Sequence, residues 1–158
     1  MVRKDHACAA FAATLLLASS ALPALAQSNG SIGLRGTMET ICFVQINQTN
    51  TSSVDLIKGT SNLTIGTVGE KCNRGNGFTV TISSANAGAL VNATGARAAY
   101  TVQYDNSGVK SLANPVVLTR TSAKKTVSTK SFKVNIPANP QAIAGTYADT
   151  ITVAIAAR

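Results

Sequence analysis

The amino-acid sequence predicts an all-β domain, and three observations support this prediction. In the closing stretch 144–158, Tyr147, Ile151, Val153 and Ile155 alternate with small or polar residues, as in a strand with one buried face. The composition is rich in Thr, Ser, Asn, Ala, Val and Gly, and the β-branched and turn-forming residues among them are poor helix formers. Turn signals between short apolar runs recur about every 8–14 residues, a spacing typical of sandwiches.

The first 26 residues have the features of a secretory signal peptide. Arg3 and Lys4 precede an apolar run at 7–18, and Pro23-Ala-Leu-Ala26 supplies a small-x-small cleavage pattern. The run is too short for a stop-transfer helix, and no later run is long enough to span a membrane. We therefore expect an exported chain of residues 27–158 with no membrane span after cleavage.

The exported chain has no histidine, and its five scattered carboxylates leave a glycosidase pair open without supporting one. His6, the only histidine, lies in the signal segment, which removes Ser-His-Asp and Cys-His nucleophile systems. Ser122-Ala-Lys-Lys125 fits S-x-x-K only formally, because that motif needs a helix start and partner motifs. The acidic residues are scattered and no glycine-rich phosphate loop follows a predicted strand. We expect no enzymatic activity, no cofactor and no metal site.

Two cysteines, Cys42 and Cys72, follow the signal peptide. An even pair in an exported domain predicts one disulfide, because disulfides persist in such compartments. Metal ligation is the rival interpretation, but two thiols without histidine make a poor zinc site. Closing a loop of about 31 residues should stabilise the fold by roughly 3–4 kcal/mol in the chain-entropy model.

The strands between these landmarks are assigned from apolar runs and turn residues. The order describes an immunoglobulin-like β-sandwich of seven or eight strands better than any α/β fold. Loops or turns are predicted at 48–53, 58–62, 73–77, 85–95 and 105–108. Strands are predicted at 41–46, 54–57, 63–68, 78–83, 100–104, 115–119 and 131–136, followed by the closing strand.

A second alternating segment lies near the start of the exported chain. Ile32, Leu34, Gly36 and Met38 share one parity, and the segment leads directly into the strand that contains Cys42. By itself this pattern is typical of an ordinary first strand.

Taken together, these features resemble a chaperone–usher pilin subunit, close to the archaic pilins and the spore-coat-U domain. The resemblance covers residues 27–158 and depends on the export signal, the alternating arm before Cys42 and the second cysteine about thirty residues later. The run from Gly145 to Asp149 fits the Gly-x-Tyr-x-Asp pattern before the last strand, and Gly145 is fourteenth from the C-terminus. Ala157 departs from the pattern, because many pilins carry an aromatic residue there.

The resemblance implies an incomplete sandwich that lacks its last strand. Residues 27–39 would be a donor-strand arm and residues 40–158 the pilin-like domain, with an open groove beside the closing strand. Another subunit's arm would fill that groove by strand addition. The implied donor residues are Ile32, Leu34, Gly36 and Met38; the implied groove and last-strand residues are Gly145, Tyr147, Ile151, Val153 and Ile155.

The resemblance also implies partners and a location. The partners would be copies of this chain or other pilins, a periplasmic chaperone and an outer-membrane usher. The protein would pass through the periplasm to a surface pilus or the extracellular space and serve adhesion or biofilm formation. Glu39 and Thr40, which precede the first strand, do not favour a tight hairpin, so we expect the arm to pair with another copy.

One cluster supports a different function. Five basic residues lie before and within a predicted strand, which is typical of a solvated loop and a lysine-protected edge. The same cluster favours attraction to anionic surfaces. The alternative functions are therefore a monomeric secreted β-sandwich that binds anionic surfaces or glycans, or a spore-coat-U-like envelope protein; a nucleic-acid partner is not expected. The cluster comprises Arg120, Lys124, Lys125, Lys130 and Lys133.

Overall fold

A computed structural model describes residues 28–51 and 54–158, which form ten β-strands and no helix. The predicted signal peptide at 1–26, with Gln27, Ser52 and Ser53, lies outside the described residues. The all-β prediction is confirmed. The strands are β1 Cys42–Gln48, β2 Thr60–Cys72, β3 Phe78–Ser84, β4 Ala89–Val91, β5 Arg97–Ala99, β6 Thr101–Tyr104, β7 Val109–Ser111, β8 Val116–Arg120, β9 Lys124–Ile136 and β10 Ile151–Ala157.

The strands pair into antiparallel sheets. A five-stranded sheet has the order β1-β2-β9-β6-β7, and a three-stranded sheet has the order β10-β3-β8. The short strands β4 and β5 pair with each other. The chain divides at Gly36 into two units. Both of the larger sheets belong to the second unit, residues 37–158.

The core contains side chains from both of these sheets, an arrangement consistent with a β-sandwich. In β3, Phe78, Val80 and Ile82 are fully buried, whereas Thr79 and Thr81 remain partly exposed. Val68 of β2 and Phe132 of β9 belong to the same apolar cluster. The predicted alternation of β3 is therefore confirmed, because one parity meets the core and the other meets solvent.

The predicted disulfide is present. Cys42, the first residue of β1, is bonded to Cys72, the last residue of β2, and the two are register partners in the sheet. The bond therefore joins the start of an edge strand to the end of its neighbour.

The strand predicted at 54–57 is wrong. The Asp55 carboxylate accepts hydrogen bonds from the backbone N–H groups of Ile57 (2.9 Å) and Lys58 (3.0 Å), which forms a turn. Aspartate competes for local backbone donors in this way and so opposes a strand.

The predicted strands are also too short in two places. β2 and β9 each contain 13 residues, so β2 includes most of the loop predicted at 58–62. The two strands pair with each other from Thr60↔Ile136 to Cys72↔Lys124, with irregularities in register along the way. This long-range pairing holds polar residues in strands that their own sequence does not favour. The loop predicted at 85–95 likewise contains β4.

Candidate functional site

Strand β10 lies at the edge of the three-stranded sheet and pairs only with β3 among the described strands. Beyond the two ends of this ladder, Thr150 O accepts from Ala85 N (2.9 Å) and Arg158 N donates to Gly77 O (3.1 Å). Bonded and non-bonded positions alternate in antiparallel pairs, so the even-numbered residues of β10 bond to β3. The backbone groups of Ile151, Val153, Ile155 and Ala157 therefore point to the open edge.

Strand β1 has the same arrangement at the edge of the five-stranded sheet. Asn73 N donates to Ile41 O (3.1 Å) and Thr49 N donates to Ile65 O (2.8 Å), which assigns the odd-numbered residues to bonds with β2. The backbone groups of Cys42, Val44, Ile46 and Gln48 therefore point away from β2, and no described strand pairs with this edge.

A cavity of about 280 Å³ lies between these two edge strands. Ile46 has the inward parity of β1, yet 46% of it remains exposed. On the other side of the cavity, Val153 is buried and Ile151 is half-buried. The cavity is lined by Ile46, Gln48, Thr51, Ile65, Gly66, Thr67, Val68, Phe132, Asp149, Thr150, Ile151 and Val153. We call this space and the facing edges of β1 and β10 the groove.

The groove is narrower than a complete strand position. Some Cα atoms of β1 and β10 lie within 8 Å of each other. Two strands with a third paired between them are about 9.5 Å apart, twice the usual spacing of neighbours. A strand that pairs fully with β10 would therefore have to displace β1 at the points of closest approach.

Asp149 fixes the beginning of β10 at one end of the groove. Its Oδ2 accepts hydrogen bonds from Ser84 Oγ (2.6 Å) and Tyr100 Oη (2.5 Å). Its Oδ1 accepts from the backbone N–H groups of Asn86 (3.0 Å) and Thr150 (2.7 Å). Burial and the hydrogen bond to Asp149 raise the pKa of Tyr100 well above its ordinary value. With four donors, this carboxylate has the surroundings of a structural group.

Gly145 and Tyr147 lie in the loop before β10 and do not line the cavity. Gly145 has φ +151°, a conformation that favours glycine, and a Cβ added there would lie 3.2 Å from Asn92 Nδ2, so that side chain would have to shift. The Tyr147 hydroxyl donates to Ile143 O (2.9 Å). These two residues shape the loop that leads to β10.

The predicted donor residues are exposed. Ile32, Leu34 and Met38 expose 92%, 95% and 85% of their surface, and a Cβ added to Gly36 would meet nothing within 4 Å. Residues 28–41 form no regular secondary structure. A group of large apolar side chains that are exposed to this extent is typical of an interaction site.

Arg120 of the basic cluster forms an ion pair with a fully buried carboxylate, and its own side chain is partly exposed. Its Nη2 lies 2.7 Å from Glu70 Oε1 and its Nε lies 3.0 Å from Glu70 Oε2. Glu70 is fully buried and also accepts from Tyr104 Oη (2.6 Å). The sequence analysis missed Glu70, although its parity with Val68 and Cys72 places it on the inward face of β2.

A second member of the basic cluster is also paired. Lys130 Nζ lies 2.9 Å from Asp105 Oδ2, and both side chains are partly exposed. The salt bridges found in the described residues involve none of Lys124, Lys125 and Lys133. Within the basic cluster, these three lysines are therefore the ones whose charge is not compensated by a salt bridge among the described residues, as the anionic-surface interpretation needs.

No protein-family model and no curated protein sequence matches this chain. Within residues 28–51 and 54–158, no helix is long and apolar enough to cross a membrane. The same residues contain no group of three or more His, Cys, Asp or Glu side chains that could hold a metal ion.

Proposed function

We propose that this protein is a structural subunit of a surface fibre and polymerises by donor-strand exchange. In this proposal, the arm of one copy enters the groove of the next copy and pairs with β10. The observation that carries the proposal is that β10 has two unmet requirements: its outer backbone edge is unpaired among the described strands, and the side chains of Ile151 and Ile155 are only partly buried. Ile151, Val153 and Ile155 turn apolar side chains inward and also direct their backbone groups to the open edge.

An extended peptide with alternating apolar side chains meets both requirements. Its backbone can pair with the edge of β10, and its apolar side chains can cover the floor of the groove. Ile32, Leu34 and Met38 have the necessary spacing of two or four residues and are almost fully exposed. Gly36 supplies a position without a side chain, where the donor backbone can approach the groove closely.

The expected gain from this exchange is large. Burying three side chains of this size contributes about 5–9 kcal/mol as an upper value. A whole domain is usually stable by only about 5–15 kcal/mol. A subunit with an empty groove is therefore expected to be marginal, which explains the need for a chaperone that lends a strand during transit.

The wider assignment is to a chaperone–usher pilus. It would include an immunoglobulin-like sandwich short of one strand, a periplasmic chaperone, an outer-membrane usher and a role in adhesion or biofilm formation. It is supported by the predicted export signal, the disulfide that joins β1 to β2 and the pattern from Gly145 to Asp149. The narrow groove adds one requirement, that β1 moves away from β10 when the donor strand enters.

The test compares two substitutions at neighbouring positions of the arm. Leu34→Asp places a charge on the donor face, whereas Arg35→Asp changes charge on the opposite face and is the matched control. Each variant is exported, and its SDS-resistant ladder is measured without boiling. Leu34→Asp should abolish the ladder and Arg35→Asp should retain it. Equal ladders in both variants, or normal fibres after deletion of residues 27–38, would contradict the proposal.

The three unpaired lysines favour one alternative, a monomer that binds anionic glycans. That protein would run as a monomer in the same experiment, and salt would release it from an anionic polysaccharide. Replacing Lys124, Lys125 and Lys133 by Gln would abolish such binding.

A further inference from the structure

We propose that Asn73 is a positioning residue that keeps the arm available to a second copy and out of the groove of its own domain. This inference rests on the proposed function. An arm joined to its own domain by a few residues has an effective concentration on the order of millimolar at nearby sites. Polymerisation therefore requires a feature that opposes internal pairing.

Asn73 holds the segment where the arm joins the domain. Its side-chain Nδ2 donates to Glu39 O (2.7 Å), and its Oδ1 accepts from Ile41 N (2.7 Å). Its backbone N–H donates to Ile41 O (3.1 Å). One residue thus bonds to three backbone atoms of residues 39–41, and two of these bonds use the side chain.

These bonds extend the β1–β2 ladder by one step beyond the disulfide. Cys42 is the register partner of Cys72, and Ile41 meets Asn73 in the next position. The side-chain amide then reaches two residues further, to Glu39. Residues 39–41 are therefore held along the direction in which β1 runs.

Internal pairing needs the opposite geometry. To lie beside its own β10, the arm would have to reverse direction between Met38 and Ile41, since Ile41 is already paired with Asn73. Two-residue hairpins generally need positive φ at one or both central residues. Neither Glu39 nor Thr40 has a positive φ, and reversal there would break the bonds to Asn73.

An amide is needed because asparagine donates and accepts at once. Aspartate at this position would keep an acceptor for Ile41 N but would lose the donor to Glu39 O. Alanine would lose both side-chain bonds and keep only the backbone bond. The side chain, rather than the turn alone, is therefore assigned the positioning role.

The experiment separates this role from the intrinsic reluctance of Glu39-Thr40 to form a hairpin. Four exported chains are compared: the wild type, Asn73→Ala, Glu39→Asn with Thr40→Gly, and the combination of all three substitutions. Asn-Gly is a strongly favoured hairpin pair, and the backbone oxygen of residue 39 is retained. Asn76→Ala is the matched control, because Asn76 is exposed in the same turn and takes part in none of the side-chain hydrogen bonds found in the described residues.

We measure the fraction of each chain that is monomeric and the fraction in SDS-resistant ladders. The wild type, the Asn76→Ala control and the Asn-Gly variant should remain mainly in ladders, because Asn73 still holds residues 39–41. Asn73→Ala should raise the monomer fraction several-fold, and the triple variant should be mainly monomeric. A self-paired monomer is recognised by a melting temperature above that of the chain lacking residues 27–38 and by failure to bind an added arm peptide.

Three results overturn the inference while leaving the proposed function intact, and two of them concern the ladders. One is a wild-type ladder that persists unchanged in the triple variant. The other is an Asn-Gly variant that is as monomeric as the triple variant, since Asn73 would then contribute nothing. A wild type without any ladder would instead overturn the proposed function. A triple-variant monomer that binds the arm peptide has an empty groove and also counts against the inference.

Discussion

Two carboxylates of this protein each accept a tyrosine hydroxyl, but their surroundings differ. Glu70 is fully buried, and all its partners are side chains, including the cation of Arg120. Asp149 is half-buried, has no cationic partner among its hydrogen bonds and receives two of its four bonds from the backbone. Glu70 joins β2 and β6 of one sheet to β8 of the other, whereas Asp149 anchors one edge strand beside the groove.

The difference separates two structural roles for similar groups. The Glu70 cluster couples the sheets, and Glu70, Tyr104 and Arg120 do not line the groove. The Asp149 cluster fixes the start of β10 and itself lines the groove. Substitutions in the first cluster should therefore change the free energy of unfolding. Substitutions in the second should also change the affinity of the groove for an arm peptide.

The largest effect is expected from Arg120→Met. It leaves Glu70 as an uncompensated buried charge, which should lower the free energy of unfolding by about 3–5 kcal/mol. Urea unfolding of the chain of residues 27–158 measures this change. Glu70→Met combined with Arg120→Met should recover much of the loss, because it removes the buried charge as well. A cost below about 1 kcal/mol for Arg120→Met would show that the pair does not couple the sheets.

Asp149→Asn should have a smaller effect on stability and a second effect on the groove. The amide replaces one acceptor oxygen by an NH2 donor and removes the charge, so that a loss of about 1.5–3 kcal/mol in the free energy of unfolding is expected. Affinity of the domain lacking residues 27–38 for an arm peptide should also fall, by about tenfold or 1.4 kcal/mol. Peptide titration followed by fluorescence anisotropy measures it. Unchanged affinity would place Asp149 in the same class as Glu70.

The tyrosines distinguish the clusters at alkaline pH. Burial, followed by the hydrogen bond to Glu70, raises the pKa of Tyr104; burial and Asp149 do the same for Tyr100. Because the folded pKa lies above the unfolded one, the stabilisation is complete below about pH 10 and is lost as the pH rises further. Above that pH, each tyrosine should lower the free energy of unfolding by up to about 1.4 kcal/mol per pH unit. Urea unfolding between about pH 8 and 11 should show the decline. Tyr104→Phe or Tyr100→Phe should make this decline with pH less steep. An unaltered slope in both variants would refute this assignment.

The smallest effect is expected from Lys130→Ala. Its partner Asp105 is also partly exposed, so the pair should contribute only about 0.2–1 kcal/mol. The same urea experiment measures it, and added salt should reduce the difference further. A loss of unfolding free energy as large as that of Arg120→Met would contradict the expectation that the ion pair of the fully buried Glu70 matters more than one between two partly exposed side chains.

The sequence predicted the features that depend on local pattern. Alternation identified the inward residues of β3 and β10, and two cysteines in a chain predicted to be exported identified the disulfide. It did not predict that β2 and β9 would each extend over 13 residues, because their polar ends are held in place by pairing with each other.

Long-range partners explain the remaining omissions. Arg120 meets Glu70 from 50 residues away, so the basic cluster could not be separated into paired and unpaired charges. The Asn73 amide reaches Glu39 across 34 residues, and nothing in the turn sequence indicates that contact. The Asp55 turn is the exception, because a local aspartate could have been recognised before the strand at 54–57 was assigned.

The position of the disulfide has a mechanical consequence. Tension applied to the chain ahead of Cys42 would otherwise peel β1 from the sheet one hydrogen bond at a time, starting at its first residue. Because Cys42 is covalently joined to Cys72, that force passes directly into β2, an interior strand flanked by β1 and β9. The edge strand β1 is thereby bypassed, and tension on the segment before Cys42 is distributed over the hydrogen bonds on both sides of β2.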